Sequence, residues 1–432
     1  MATATLPFPT WENPAALPNR NRSAFTNFFH QAARVVAVGV GISIPLSTSM
    51  AEILVGLFAV CWLLSGEFLH LPATIRQNRI AAACLAMFGV LLLGATYGAS
   101  SWHDTGKALA KYREFLYVPL LVTVFQDQKL RQWGLRAFMA GVTVMILLSY
   151  GEFLFKFDIG LLSSTDFVIF KDRIIHGLLL AFYVFVLSHQ IAEGSKYRWL
   201  QWGMIALALG NGMFLIQGRT GHLVLSILVM LFMWQRFRFR GLAYGMVLLT
   251  IGWGAIYQVS PVIKKRVQMT MNQLHDQFGE EKKRNEDARL EFYEYSLRII
   301  RQNPWFGTGT GGFLKAYRDI AAHNGVPATE DPHSEYLLLA VQLGACGPLA
   351  LLALYGMQWL TAFRLPQTER WLAQGVVFTI ASGCLVNSLL YGFTGGLFFG
   401  YFSGLVFGAL PTASQVAAAK NQPEVSPKSQ AA

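Results

Sequence analysis

Apolar runs of about 18 or more residues recur along the whole chain, each long enough to cross a bilayer's hydrocarbon as a helix. Lipid offers backbone N–H and C=O groups no partners, so runs of this length must satisfy them internally, and helices do so. Charged residues are 14% of the 432, against about 25% in soluble domains, which sets aside a soluble helical protein. The sequence therefore predicts an all-α polytopic membrane protein. Twelve candidate helices lie near 32–48, 50–66, 79–98, 112–126, 137–155, 174–191, 199–216, 220–235, 241–259, 347–363, 371–391 and 395–411.

Lys and Arg in the short loops set the orientation. With the N-terminus in the cytoplasm, the inside segments hold Arg76, Arg79, Lys129, Arg131, Arg136, Arg236, Arg238 and Arg240, among others. The short outside loops hold fewer: Lys107, Lys111, Arg113, Lys156, Lys171, Arg173 and Arg219. Both termini are expected inside. The chain then divides into a cytoplasmic segment 1–31, nine helices over 32–259, an outside loop or cap over 260–346, three helices over 347–411 and a disordered tail 412–432. No apolar h-region opens the chain, so no cleavable signal peptide is expected. Cys61, Cys84, Cys346 and Cys384 all sit in apolar runs, so no disulfide framework is expected.

Within the long outside segment, 260–333 balances eleven bases with ten acids, so it is no polybasic arm and no nucleic-acid partner is expected. Leu290, Tyr293, Leu297 and Ile300 repeat at helical spacing, with Asn285 as a cap, Glu286 and Asp287 in the first turn, and Pro304 as the stop. A compact cap of short helices is expected there. The glycines of NPWFGTGTGGF, 303–313, lack both a preceding strand and a following GK[ST], so they read as a turn folding the cap back, not as a nucleotide loop.

The outside cations form the first chemical candidate. Snorkelling suffices for Lys156 and Lys171. Arg219 differs, because QGRTGH confines it to a short turn between two apolar helices, and charges at membrane level are functional by default. Lys107, Lys111 and Arg113 precede one span, and Arg173 and His176 open another. Together they form an outward positive mouth suited to phosphate, which Arg binds bidentately. Glu52 and Glu152 stand near outer helix ends, where either could pair with a mouth cation, and both read as structural. Arg289 reads from spacing alone as a solvated residue pairing with Glu286 or Glu294.

The second candidate is DPHSEYLLLAVQLGACGPLALL, 331–352. From Tyr336 to Phe363 the chain carries no charge, yet Asp331, His333 and Glu335 crowd its threshold. A neighbouring carboxylate orients an imidazole and tunes it for general-base work. His323 and His333 lack metal-ligand spacing and no Cys stands near, so no metal and no cofactor is expected.

DPHSEYLLLAVQLGACGPLALL resembles the His-Ser/Asn-x-Tyr/Phe-Leu plus Gly-x-x-Gly signature of the O-antigen ligase and polymerase superfamily. NPWFGTGTGGF resembles the Asn-Pro…Gly-x-Gly segment that precedes it there. The resemblance implies about 12 transmembrane helices with a helical periplasmic cap, in a GT-C-like glycosyltransferase architecture. It implies transfer of O-antigen from undecaprenyl diphosphate to lipid A–core oligosaccharide, in a Gram-negative inner membrane with the site facing the periplasm. Arg219, Arg289 and His333 match the family's three catalytic positions. His333 then takes the acceptor's proton while Arg219 and Arg289 neutralise the leaving diphosphate, with Arg173, Lys111, Arg113 and His176 lining the donor site. No Asp-x-Asp pair stands in the outside segments, which fits metal-independent, inverting transfer. Three alternatives stay open: a polymerase acting on lipid-linked repeats, a protein O-glycosylating relative, and a twelve-span transporter. A transporter favours paired charges at mid-bilayer, whereas here they crowd the outer surface.

Overall fold

The computed structural model describes residues 23–98, 100–156, 167–216, 218–260, 264, 267, 268, 271, 289–324 and 329–411, without the side chains of 322–324. The expected tail and the Asn285, Glu286 and Asp287 helix start lie outside these residues. Helix is the only regular structure among the described residues: α1 (Ala24–Leu46), α2 (Thr48–Leu64), α3 (Leu71–Gln77), α4 (Arg79–Tyr97), α5 (Trp102–Lys111), α6 (Glu114–Val124), α7 (Gln128–Phe155), α8 (Arg173–Ala192), α9 (Arg198–Gly210), α10 (Arg219–Phe237) and α11 (Phe239–Val259). Then follow α12 (Arg289–Gln302), α13 (Phe313–Asn324), α14 (Glu335–Leu343), α15 (Cys346–Ala362), α16 (Gln367–Val386) and α17 (Phe393–Phe407).

A helix underlies each of the twelve expected segments, but the lengths differ. Among the described residues six helices are long and apolar enough to cross a membrane, or seven with the bent pair Thr48–Leu64 and Glu67–Gln77, which turns by 77°. The segments expected at 112–126 and 199–216 are shorter: α6 has 11 residues, and α9 has 13 before a π-helical turn, Asn211–Leu215. α1 starts before residue 32, because Ser23 caps it by accepting the Thr26 amide. The run read as one helix over 371–391 ends at Val386, and Asn387–Gly392 is a connection.

Small residues bring the helices that carry the site close together. Gly396, Gly400, Gly404 and Gly408 repeat every four residues along the α17 side and face α6: added Cβ atoms would meet Glu114, Leu121 and Phe125 at 2.4–3.2 Å. This is the small-residue packing expected where helices associate in lipid. Likewise Gly177 and Gly221 touch backbone to backbone and hold the first turns of α8 and α10 together.

The helices after residue 289 have their own small core. Phe292, Ile299, Phe313, Tyr317, Ala321, Leu338 and Val341 cluster, so α12 and α13 are built onto α14. The buried row of α12 is Phe292, Ser296 and Ile299, not the expected Leu290, Tyr293, Leu297 and Ile300; Leu297 is exposed. Both rows have helical spacing, and only contact with α13 and α14 decides between them.

Candidate active site

His333 is the last loop residue but one before α14, and its backbone is strained. Its φ is 53°, a left-handed value that costs a non-glycine residue about 1–3 kcal/mol unless its surroundings fix it. Those surroundings are on hand. The His333 amide donates to Asp331 Oδ1 at 2.7 Å, and the Tyr293 hydroxyl donates to the His333 carbonyl at 3.3 Å. Asp331 Oδ1 also lies 3.6 Å from Nδ1 of the imidazole, which is partly exposed. Phe292 packs near the ring, with centroids 5.8 Å apart. Arg289, one turn before Phe292 and Tyr293, therefore lies on the side of α12 that meets His333. The expected alternative partner for Arg289, Glu294, instead accepts from Arg298 at 2.6 Å.

Only one of the two threshold carboxylates attends the histidine. Glu335 turns inward and is completely buried. It accepts the Tyr112 hydroxyl at 2.7 Å and the amides of Leu390 and Tyr391 at 2.9 and 3.1 Å. Burial pushes its carboxyl up to about 7, a rise that these three donors moderate.

The connection between α16 and α17 gathers the remaining parts. Asn387 donates to the Thr220 hydroxyl at 2.6 Å, beside Arg219, and its carbonyl accepts the Glu335 amide at 3.3 Å. Ser388 donates to Asp331 Oδ1 at 3.0 Å. The Tyr391 ring lies 4.0 Å under the Lys111 ammonium, which also sits 3.7 Å from Glu330. Arg113 lies over the Phe393 ring at 5.2 Å and pairs with Glu52 at 3.1 Å, so Glu52 meets a mouth cation. Gly218 packs so closely on the Arg173 carbonyl that a Cβ would approach it to 2.5 Å, which brings the exposed Arg173 and Arg219 together.

Two expected positions change. His176 is completely buried inside α8 rather than at the lip, because α8 is buried on every side from Ile175 to Leu187. Lys171 is no snorkelling anchor. It is buried and donates to the hydroxyls of Thr48 and Thr394 at 2.8 and 3.3 Å, and burial holds it down at about 8. The sequence reading also missed Tyr112, Asn387, Ser388 and Tyr391. The polar break VNSLLYG inside an apolar run was the available signal.

The 303–313 segment behaves as the expected turn. The amides of Thr308, Gly309 and Thr310 donate to the carbonyls of Val341, Gln342 and Gly94 at 2.9, 2.7 and 3.0 Å, and Gly311 donates to the Gln342 side chain at 2.6 Å. These amides are spent on protein oxygens, so they cannot cradle a phosphate. Gly309, with φ 86° and Gly98 Cα where a Cβ would stand, admits no side chain.

Among the described residues the fold is all-helical, and its several membrane-length apolar helices define a multi-pass membrane protein. Residues 203–352 match the family model described as O-Antigen ligase, which supports the family membership read from the histidine motif. The match includes Arg219, Arg289 and His333, whereas Lys111, Arg113, Arg173 and the 387–391 connection lie outside it. A search of curated proteins gives no match.

Proposed function

We propose that this protein transfers O-antigen glycan from undecaprenyl diphosphate to lipid A–core oligosaccharide at the periplasmic face of a Gram-negative inner membrane. The observation that carries the reading is His333, oriented by Asp331 in a strained loop beside the first turn of α10 and the Lys111 end of α5. In this reading twelve helices cross the membrane, both termini are cytoplasmic, and α12 and α13 cap the site.

Asp331 faces Nδ1, which leaves Nε2 for the acceptor hydroxyl. The hydroxyl oxygen attacks the anomeric carbon, its proton passes to Nε2, and the glycosidic C–O bond breaks with its electron pair leaving on the diphosphate. One displacement inverts the anomeric centre. Arg219 and Arg289 meet the charge developing on the leaving group, with Lys111 and Arg173 adding to the local field. Fixed cations aimed at a developing charge act in the transition state without reorganising, which is why such groups contribute heavily to rate.

The test uses purified protein, lipid-diphosphate-linked glycan and rough lipopolysaccharide. Glycan attached to lipid A–core supports ligation. Longer lipid-linked chains indicate the polymerase, and no product at all leaves the transporter. His333→Asn is the informative variant, because Asn tolerates left-handed backbone and removes only the imidazole. Full transfer by that variant, at normal abundance, would sink the assignment of His333.

A further inference from the structure

The reaction scheme gives no part to Glu335, Tyr112 or the 387–391 connection, yet these groups join the elements that carry Lys111, His333 and Arg219. Asn387 holds Thr220 beside Arg219, Ser388 holds Asp331 beside His333, and Tyr391 carries Lys111 on its ring. Glu335 fixes the connection through the Leu390 and Tyr391 amides, and fixes the α5–α6 junction through Tyr112, the residue after Lys111. We infer that Glu335 and Tyr112 are positioning residues, a buried bracket that holds Lys111, His333 and the Arg219 turn in one register during transfer. The inference rests on the glycosyl-transfer reading above.

Three observations support it. First, a buried carboxylate is a poor device for stability alone, since apolar side chains of similar volume often hold such a space as well or better. Second, its three donors come from the residue after Lys111 and from the connection that contacts Thr220, Asp331 and Lys111, and none from the distant bundle. Third, the Tyr112 hydroxyl contributes a polar contact where the rest of its ring packs on Phe115 and Tyr391, so one atom separates the bracket from the packing. That atom can be removed without opening a large cavity.

The experiment measures kcat and donor KM for full-length wild type, Tyr112→Phe, Glu335→Gln and the double variant, in liposomes with lipid-diphosphate-linked glycan and lipid A–core acceptor. Thermal midpoints are recorded for each. Each single variant is expected to lose about tenfold in kcat, as for a hydrogen bond that acts in the transition state, with donor KM little changed. The double variant is expected to be no slower than the slower single, because both act through one hydrogen bond. Wild-type kcat in Tyr112→Phe overturns the inference. So do losses that multiply in the double variant, and so does a kcat loss that merely follows the thermal midpoint down. If Glu335→Gln does not fold, Tyr112→Phe decides alone. No product from wild type overturns the glycosyl-transfer reading itself; product from wild type with unchanged variants overturns only the bracket.

Discussion

Asp331 meets His333 twice with a single oxygen: Oδ1 accepts the His333 amide at 2.7 Å and stands 3.6 Å from the imidazole Nδ1. One contact holds the backbone in its left-handed turn, and the other sets the side chain and favours a positive ring as it takes a proton. The two roles separate by mutation. Asp331→Asn keeps an oxygen for the amide and loses the charge. The imidazole contact is longer than a good hydrogen bond and partly exposed, so about 1 kcal/mol, or about fivefold in turnover, is expected. Asp331→Ala also frees the turn and should lose more. A wild-type rate for Asp331→Asn would mean that the carboxylate charge is irrelevant, and equal losses in the two variants would mean that its hold on the turn is.

At Arg219 the expectation concerns geometry at fixed charge. A planar guanidinium engages two diphosphate oxygens together, and a Lys ammonium does not reproduce that fork. Arg219→Lys should lose about 1.5–3 kcal/mol, or about 10- to 150-fold in rate. Arg113→Lys is the control, because Arg113 already pairs with Glu52 and rests on Phe393. A wild-type rate for Arg219→Lys beside an inactive Arg219→Ala would show that charge alone suffices.

The twelve helical segments and the His333 threshold were legible in the sequence because apolar length and charge placement are local properties. The bracket was not. Glu335 and Tyr112 are 223 residues apart, and nothing in either neighbourhood names the other. The α17 glycines were missed for a related reason: their meaning lies in the backbone of α6 that packs on them. The buried row of α12 was misread because two rows fitted the helical period and packing chose the second. His176 was placed at the lip from its nearness in sequence to Arg173, but from Ile175 to Leu187 the bundle encloses α8 on every side.

The contact between Gly177 and Gly221 predicts an effect at a distance from the chemistry. A Cβ at residue 221 would lie 2.7–3.0 Å from Gly177 backbone atoms, which cannot swing aside as a side chain can. Gly221→Ala should cost about 1–3 kcal/mol of stability as α8 and α10 are forced apart. Because Arg219 begins α10, transfer should slow as well. Gly252→Ala, in a helix with open space around that position, should be neutral or slightly stabilising. Thermal midpoints and transfer rates of the two variants make the comparison.

Chelation tests the source of charge neutralisation. With Arg219 and Arg289 in that role, transfer should persist in excess chelator. Activity lost in chelator and restored by Mg²⁺ or Mn²⁺ would overturn the metal-free scheme.

Glu335 predicts a pH dependence of stability whose direction can be worked out. Its carboxyl stands at about 7 in the fold against an ordinary 4.5, because burial penalises the ionised form. The folded protein therefore holds a proton at Glu335 more tightly than the unfolded chain does. The stabilisation from that proton is complete below about 4.5 and is lost as pH rises through about 7. A rise of this size corresponds to about 3 kcal/mol. The thermal midpoint of the wild type in detergent should accordingly fall between pH 5 and pH 8, while Glu335→Gln, which cannot ionise, should fall less over the same range. Other titrating groups are common to both proteins and cancel in the comparison. Parallel curves for the two proteins would mean that Glu335 ionises in the fold as readily as an exposed glutamate, and that its three donors outweigh its burial.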